Sequence, residues 1–303
     1  MPQIGCNIYF WGGEEQSRLL TECLGPAVVD LRSAGLARGF WFDRFDARGP
    51  HLFVLVAAPP EASGEASRRL SGRLDEYLAA RPSAAPLSPG QVSTLHTQTR
   101  GKSLCAVDTQ PGLAGNNSYV LFEQPATGYP FYLLGTGDEL WRLLNDLTLW
   151  AVEQLAAAQQ RVPLGAAVRW VAALDRELRR LGVAGEYWRY HATTLLLGLE
   201  ERLAAGESEA LDSVPAAVGP KNFETFSRIW REAEHLPPPW PHLPRLAEIL
   251  VAGGGQVPSR PFAPLREAVH CFLKQLGAMV SVHIPIVLFA WHLSARPREA
   301  ASP

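Results

Sequence analysis

The sequence predicts an α+β fold in which a ferredoxin-like mixed sheet region precedes a mainly helical half. In the first third, strand-like runs alternate with segments of helical spacing, and after Gly137-Asp138 the spacing stays helical. Hydrophobic residues make up 47% of the 303 residues, which is enough for a sizeable core. We therefore assign residues 1–137 to the sheet region and residues 138–303 to a helical region packed on it, with a single domain as the alternative.

The N-terminal third follows the order strand, helix, hairpin, helix. Asn7–Trp11 (NIYFW) is a β-rich run that glycines end. Apolar residues then recur every three or four positions from Leu19 to Leu31, which predicts an amphipathic helix that Pro26 should kink or divide. A second helix is predicted over Gly64–Ala80. This order is that of a ferredoxin-like unit.

The stretch Gly39–Val56 (GFWFDRFDARGPHLFVLV) is the most distinctive in the chain. An aromatic run, a Gly-Pro break and a second apolar run predict a hairpin whose inner strand is deeply buried. Its polar members Asp43, Arg44 and His51 are candidate binding residues. Arg44 either forms a solvated ion pair with Asp43 or Asp46, or faces a cleft and holds a carbonyl or carboxylate through its planar guanidinium.

The remainder of the chain is first loop-rich and then helical. Short β-like segments are predicted at residues 92–95, 104–107 and 118–122. Long helices are predicted at Glu139–Gln160, Leu164–Leu181, Glu186–Ala205, Asn222–Leu236 and Leu265–Trp291. The proline-rich segment Pro237–Pro244 is predicted to be a stiff, extended spacer.

Composition excludes several classes of function. The net charge is −2 without a basic block, so a nucleic-acid partner is not expected. Cys6, Cys23, Cys105 and Cys271 are far apart and form no C-x-x-C pair, which argues against a zinc site and a disulfide framework. Motifs for phosphate binding, serine hydrolysis and zinc peptidases are absent from the sequence, and we expect no metal or cofactor.

The location expected from the sequence is the cytoplasm. The N-terminal residues contain no basic segment followed by an apolar one, as a secretory signal would. The most apolar run, Leu276–Leu293, is interrupted by Ser281, His283, Pro285 and His292, so we expect buried core rather than a membrane span.

One predicted helix carries residues suited to proton transfer. Tyr187, Tyr190, His191 and Thr194 fall at i, i+3, i+4 and i+7 and share a face, whereas Trp188 lies on the face expected to contact the core. Imidazole titrates near neutral pH, and a phenol can donate a hydrogen bond to a developing oxyanion. These residues either line a pocket or lie at an amphipathic boundary with their tips in water.

A second candidate group is Ser281, His283 and Pro285. If this segment is helical, Pro285 supplies no N–H to the carbonyl of Ser281, which leaves polar backbone beside a buried imidazole. Such an irregularity often marks a site. The competing interpretation is a structural histidine that desolvation keeps neutral.

The stretches IYF, RSAGL and GFWFDRF…PHLFVLV together resemble the start of the lantibiotic dehydratase C-terminal, or thiopeptide-type bacteriocin biosynthesis, domain. Weaker similarities occur at FEQPATGYP and VSVHIP. The resemblance implies the fold of a dehydratase elimination domain. Members that eliminate glutamate use arginines after the Pro-His of the hairpin and in a later Arg-Tyr-Gly-Gly stretch, where this chain has Phe53, Val54 and Leu55 and then Ala126-Thr127-Gly128. Glutamate elimination is therefore disfavoured.

Stand-alone relatives of this size resemble thiopeptide pyridine synthases. The resemblance implies a cofactor-independent cyclase/lyase that joins two dehydroalanines of a modified precursor peptide, loses water and expels the leader peptide. That peptide is the expected partner, together with other enzymes of the pathway. Alternatives are a split glutamate-elimination subunit and a non-catalytic module that holds a precursor peptide.

This function assigns roles to the candidate residues. We assign proton transfer to His191, Tyr190 and Tyr187. His283 and Ser281 are a second group of candidates for the same role. Since an azole-rich peptide suits a nearly neutral aromatic pocket, substrate contact is assigned to Arg44, Asp43, His51, Trp188 and Trp291.

Overall fold

The computed structural model describes residues 3–45, 48–87, 113–124, 138–195, 211–254, 262–278 and 280–295. The chain divides into two compact units, one of residues 1–162 with 274–277 and the other of residues 163–273 with 278–303. The strands predicted at residues 92–95 and 104–107 lie outside the described residues, as do Ala126-Thr127-Gly128.

The first unit contains a four-stranded sheet of order β2-β3-β1-β4. Its strands are β1 Gln3–Tyr9, β2 Gly39–Phe45, β3 His51–Ala57 and β4 Ser118–Gln124. Helices connect β1 to β2 and β3 to β4, so the α+β class and the ferredoxin-like order are confirmed. All three neighbouring pairs are antiparallel rather than mixed, because each helical crossover passes over one strand and the strands that run in the same direction are never adjacent.

Helices cover one face of this sheet. They are α1 Gly13–Leu19, α2 Gly25–Ser33 and α3 Ser63–Ala80, with a π-helical turn at Leu20–Leu24 between the first two. The π-helical turn ends just before Pro26, which has no N–H and whose ring would clash with a carbonyl one α-turn earlier. The predicted division at Pro26 is thus achieved by one widened turn.

The core of the first unit lies between these helices and alternate residues of the strands. From the sheet, Ile8, Phe40, Phe42, Val54 and Val56 are buried; from the helices, Leu20, Leu24, Leu70 and Leu74 are buried. Both strands of the hairpin are also buried on the opposite face. The predicted deep burial of β3 is therefore confirmed.

Helix α4 Asp138–Ala157 also belongs to the first unit, although we expected the helical region to start there. It packs against β2 where that strand begins. A Cβ atom on Gly39 would overlap the carboxamide of Asn145, so a larger residue would have to displace that side chain. The boundary between the units therefore falls after Val162 rather than after residue 137.

The described part of the second unit is helical. Its elements are α5 Leu164–Arg180, α6 Ala184–Leu195, α7 Val214–Val218, α8 Pro220–Glu234, α9 Leu243–Gly254, α10 Ala263–Gln275 and α11 Val280–Ala295. The single helix predicted over Leu265–Trp291 is two helices, because Gly277 takes a φ of 77° that ends α10. Helix α9 was not predicted; the segment predicted as a spacer ends at Pro244, which lies in the first turn of this helix.

Asp175 joins three helices of the second unit. Its carboxylate accepts hydrogen bonds from Trp188 Nε1 on α6 at 2.9 Å and from Ser294 Oγ on α11 at 2.5 Å. Arg179, one turn along α5, lies 2.7 Å from the same carboxylate. Asp175 is 1% exposed, so its charge is balanced inside the protein.

Candidate functional site

Tyr187 and His191 form a buried hydrogen-bonded pair on α6. They are one helical turn apart, which places their side chains next to each other, and the phenol oxygen lies 2.9 Å from Nδ1 of the imidazole. Both residues are 0% exposed. The boundary interpretation therefore fails for these two residues, while Tyr190 is half-buried and Thr194 is exposed.

Burial keeps both members of the pair neutral. Desolvation raises the pKa of Tyr187 well above its usual value, so the phenol keeps its proton. Desolvation also lowers the pKa of His191, and the positive charges that His283, His270 and Arg266 can carry lower it further. Since a protonated phenol donates to a neutral imidazole, we assign the ring proton of His191 to Nε2.

Nε2 of His191 has no hydrogen-bond partner among the described residues. A buried N–H left in this way costs about 1–3 kcal/mol. Buried donors without an acceptor are rare in native proteins. One explanation for such a donor is a ligand that supplies the acceptor. This nitrogen is therefore a candidate for contact with a ligand.

Two further histidines lie beside this pair. The ring of His283 on α11 is centred 5.5 Å from that of His191 and is nearly perpendicular to it, at 79°. His270 on α10 is centred 5.0 Å from His283. His283 is buried and His270 is half-buried, so the three imidazoles lead from the interior towards solvent. His270 and Arg266 were missed in the sequence because a single helix was predicted across α10 and α11.

Ser281 lies in the first turn of α11, four residues before Pro285. The predicted irregularity is thus present in the backbone, because Pro285 cannot donate to the Ser281 carbonyl. The side chain of Ser281 lies outside the described part of the chain.

The two tryptophans assigned to substrate contact are fully buried. The ring of Trp188 stacks on His191 with centroids 6.1 Å apart, but it is 0% exposed and its N–H is taken by Asp175. Trp291 is also 0% exposed. Tyr190 packs against Phe262 with centroids 5.9 Å apart and remains half-buried, so it is the better placed of these residues to reach a ligand.

The hairpin residues belong to the first unit, where Arg44 is 5% exposed. Its guanidinium donates to Gln16 Oε1 at 3.1 Å, Ser17 Oγ at 3.0 Å and the Gly13 carbonyl at 3.3 Å. Burial lowers the pKa of Arg44 to about 10, against a smaller opposing effect of Asp43, so it stays charged. Arg44 thus forms neither a solvated ion pair nor an open cleft contact, but ties β2 to α1.

Asp43 faces the other side of the sheet, where it pairs with Lys274. The two charged atoms lie 2.7 Å apart, and Asp43 is 0% exposed. Lys274 Nζ also lies 4.2 Å from the centroid of the Phe45 ring. His51 is buried between the rings of Tyr9 and Phe45, with Nδ1–H donating to the Gly49 carbonyl at 3.0 Å. This face is therefore aromatic and carries a balanced ion pair.

Other types of site find little support in the described residues. Across these residues no group of three or more His, Cys, Asp or Glu is arranged to hold a metal ion. Cys6, Cys23 and Cys271 form no disulfide and are buried, and burial raises the pKa of Cys23 to about 11, so its thiolate is scarce at neutral pH. Cys105 lies outside the described part. Within the described helices, the length and apolarity needed to cross a bilayer are not reached.

Comparison with known proteins gives structural neighbours only. No family model and no curated protein matches the chain. Among solved structures it is similar to TbtD, a pyridine synthase from thiomuracin biosynthesis, with a TM-score of 0.65 and 20% identity over 97% of this chain and 98% of that one. It is similar to TsrL with a TM-score of 0.50 and 16% identity, over 98% and 99% of the two chains.

A third neighbour is MibB, a tRNA-dependent lantibiotic dehydratase from Microbispora sp. 107891. The TM-score is 0.50 at 12% identity, over 97% of this chain but 28% of the dehydratase. At these identities the likeness concerns the fold. It confirms the resemblance drawn from the hairpin: the chain has the fold of a pyridine synthase along nearly its whole length, and that of one part of a longer dehydratase.

Proposed function

We propose that this protein is a pyridine synthase acting on a modified precursor peptide, in which His191 moves protons. The observation that carries the proposal is the buried Tyr187–His191 pair with Nε2 left without a partner among the described residues. The likeness in fold to TbtD supports it.

The reaction joins two dehydroalanines of one peptide. The amide of one is first converted to its iminol, and a formal aza-[4+2] cycloaddition then forms two C–C bonds. Loss of water and expulsion of the leader peptide as a carboxamide give the aromatic pyridine. Since no covalent enzyme intermediate is required, positioning and proton transfer carry the catalysis.

The neutral state of the pair suits these steps. As Nε2 of His191 gives its proton to the peptide, Nδ1 takes the phenol proton of Tyr187, so the ring stays neutral and acts from one defined nitrogen. The reverse transfer restores the pair when the peptide gives up a proton in the later dehydration. Tyr190, at the half-buried edge, is the phenol assigned to substrate contact. His283 and Ser281 remain the second group of candidates for proton transfer.

Glutamate elimination is less well supported by the hairpin. Phe53, Val54 and Leu55 on β3 are apolar and each 0% exposed, so these positions supply no guanidinium. A glutamate leaving group would therefore lack its guanidinium partners there.

The test is to incubate the purified protein with a dehydrated, azole-containing peptide and to follow its mass. A macrocycle together with a free leader carboxamide supports the synthase. Binding of the peptide without change supports a non-catalytic module, and loss of glutamate from a glutamylated peptide supports an elimination subunit. Either of the latter two outcomes overturns the proposal.

A further inference from the structure

Arg266 lies on the face of α10 that packs against the candidate site. Its N–H donates to the carbonyl of Phe262 at 2.8 Å, which places the two residues one helical turn apart, and His270 follows one turn later. Both neighbours contact the site: the ring of Phe262 is centred 5.8 Å from that of Tyr187, and the ring of His270 is centred 5.0 Å from that of His283. Arg266 therefore lies between two contacts with the site.

The side chain of Arg266 has one buried donor without an acceptor. The side chain as a whole is 33% exposed, and its Nη2 lies 3.2 Å from Oε2 of the buried Glu267, which balances its charge. Its Nε–H is buried and has no hydrogen-bond partner among the described residues. An unsatisfied donor costs more on a charged group than on a neutral one. A bound acceptor would recover this cost.

The unpaired donor of His191 is close to that of Arg266. Nε2 of His191 also has no partner in the described part of the chain. Desolvation is the main cause of the shifted pKa values of Tyr187 and His191, and the positive charge of Arg266 acts on both residues as well, in each case towards a lower pKa. Two neighbouring N–H donors suit the carbonyl oxygens of a peptide. Because Glu267 already balances the charge of Arg266, a neutral carbonyl fits better than a carboxylate.

We propose that Arg266 is a substrate-binding residue, whose Nε–H donates a hydrogen bond to a carbonyl oxygen of the precursor peptide beside the Tyr187–His191 pair. The inference rests on the proposed function for the identity of the peptide, and it adds a binding residue to that site. The guanidinium keeps its protons, so nothing is transferred at Arg266. A hydrogen bond from a cation is stronger than one from a neutral donor, and it fixes the orientation of the amide next to His191.

The first test is the affinity of R266K for the dehydrated, azole-containing peptide, measured by titration calorimetry. The matched control is R169K, because Arg169 is an exposed arginine of the same unit. Lysine keeps a positive charge beside Glu267 but has no N–H at the position of Nε. We expect the Kd to rise about tenfold or more in R266K and to stay at the wild-type value in R169K. An unchanged Kd in R266K would overturn the proposal.

The second test leaves Arg266 in place and is carried out in H191N, so that the peptide is not consumed. NMR of this protein labelled with ¹⁵N-arginine detects the Nε–H groups, and the signal that is absent in R266K identifies Arg266. We expect the dehydrated, azole-containing peptide to shift this proton signal downfield, as a new acceptor would. The result does not depend on turnover, which separates failure of this inference from failure of the proposed function. A signal that does not move when peptide is added would overturn the inference, whether or not the wild type cyclises the peptide.

Discussion

At the scale of single residues, the second unit combines polar groups that burial makes costly. A buried imidazole with one bonded nitrogen resists protonation, because its charged form loses hydration and gains little in return. Such a cost is tolerated when the group takes part in catalysis or binding, and titratable groups with shifted pKa values are therefore concentrated at functional sites.

The pH dependence of stability follows from the lowered pKa of His191. Above pH 6.5 the residue is neutral in both the folded and the unfolded chain, so it has no effect. Below that pH the unfolded chain takes up a proton that the folded chain refuses, and stability is lost. Between pH 7.5 and 5.5 we expect the unfolding free energy of the wild type to fall by about 1.4 kcal/mol more than that of His191→Gln, as measured by urea unfolding. His242→Gln is the control, and the same acid sensitivity in H191Q and wild type would contradict the assignment.

The Asp43–Lys274 pair gives a second prediction at this scale. Lys274→Met removes the cation that lies 2.7 Å from a carboxylate of 0% exposure, and we expect the unfolding free energy to fall by about 3–5 kcal/mol. The double variant D43N/K274M should recover much of this loss, because the stranded charge is gone. Lys221→Met, at an exposed position, is the control. A loss that D43N does not reduce would show that Lys274 acts through packing instead.

The sequence indicated the right polar residues but not their surroundings. Spacing correctly placed Tyr187 and His191 side by side, since one helical turn is a local property. It did not indicate that Arg44 would be bound by Gln16 and Ser17, because those contacts depend on how β2 and α1 pack. His270 was missed for the same reason: its neighbour His283 lies on another helix.

At the scale of helices and strands, the fold follows from local signals where these are strong. The hairpin and the crossover helices have clear periodicity and were predicted. The end of α10 was not predicted, because one glycine at φ 77° interrupts a run whose apolar residues continue beyond it. Likewise, the prolines of residues 237–244 suggested an extended segment, although the last of them, Pro244, lies in the first turn of α9.

Asp175 should be the most sensitive polar residue in the helical packing of the second unit. Asp175→Ala leaves the Trp188 and Ser294 donors without their acceptor and Arg179 without its carboxylate, so we expect a loss of about 3–5 kcal/mol in urea unfolding. Asp175→Asn keeps an acceptor and should lose less. Glu224→Ala, at an exposed site on α8, should have little effect. Equal losses of unfolding free energy in D175A and E224A would contradict this role of Asp175.

At the scale of the whole molecule, the same fold occurs in proteins that differ in length and in the reaction they are named for. The chain shares its fold with a stand-alone pyridine synthase and with about a quarter of a lantibiotic dehydratase. The fold therefore cannot decide between cyclisation and elimination. Our proposal of cyclisation rests instead on local features: apolar residues on β3, and a neutral Tyr187–His191 pair in the second unit.

The most direct test of this account is a comparison of wild type and His191→Asn on the same dehydrated, azole-containing peptide, with product followed by intact mass and peptide affinity measured in parallel. We predict that the wild type releases a macrocycle and a leader carboxamide, while H191N binds the peptide with similar affinity but turns it over about a hundredfold more slowly. Equal turnover by the two proteins, or a loss of binding that matches the loss of turnover, would contradict the account.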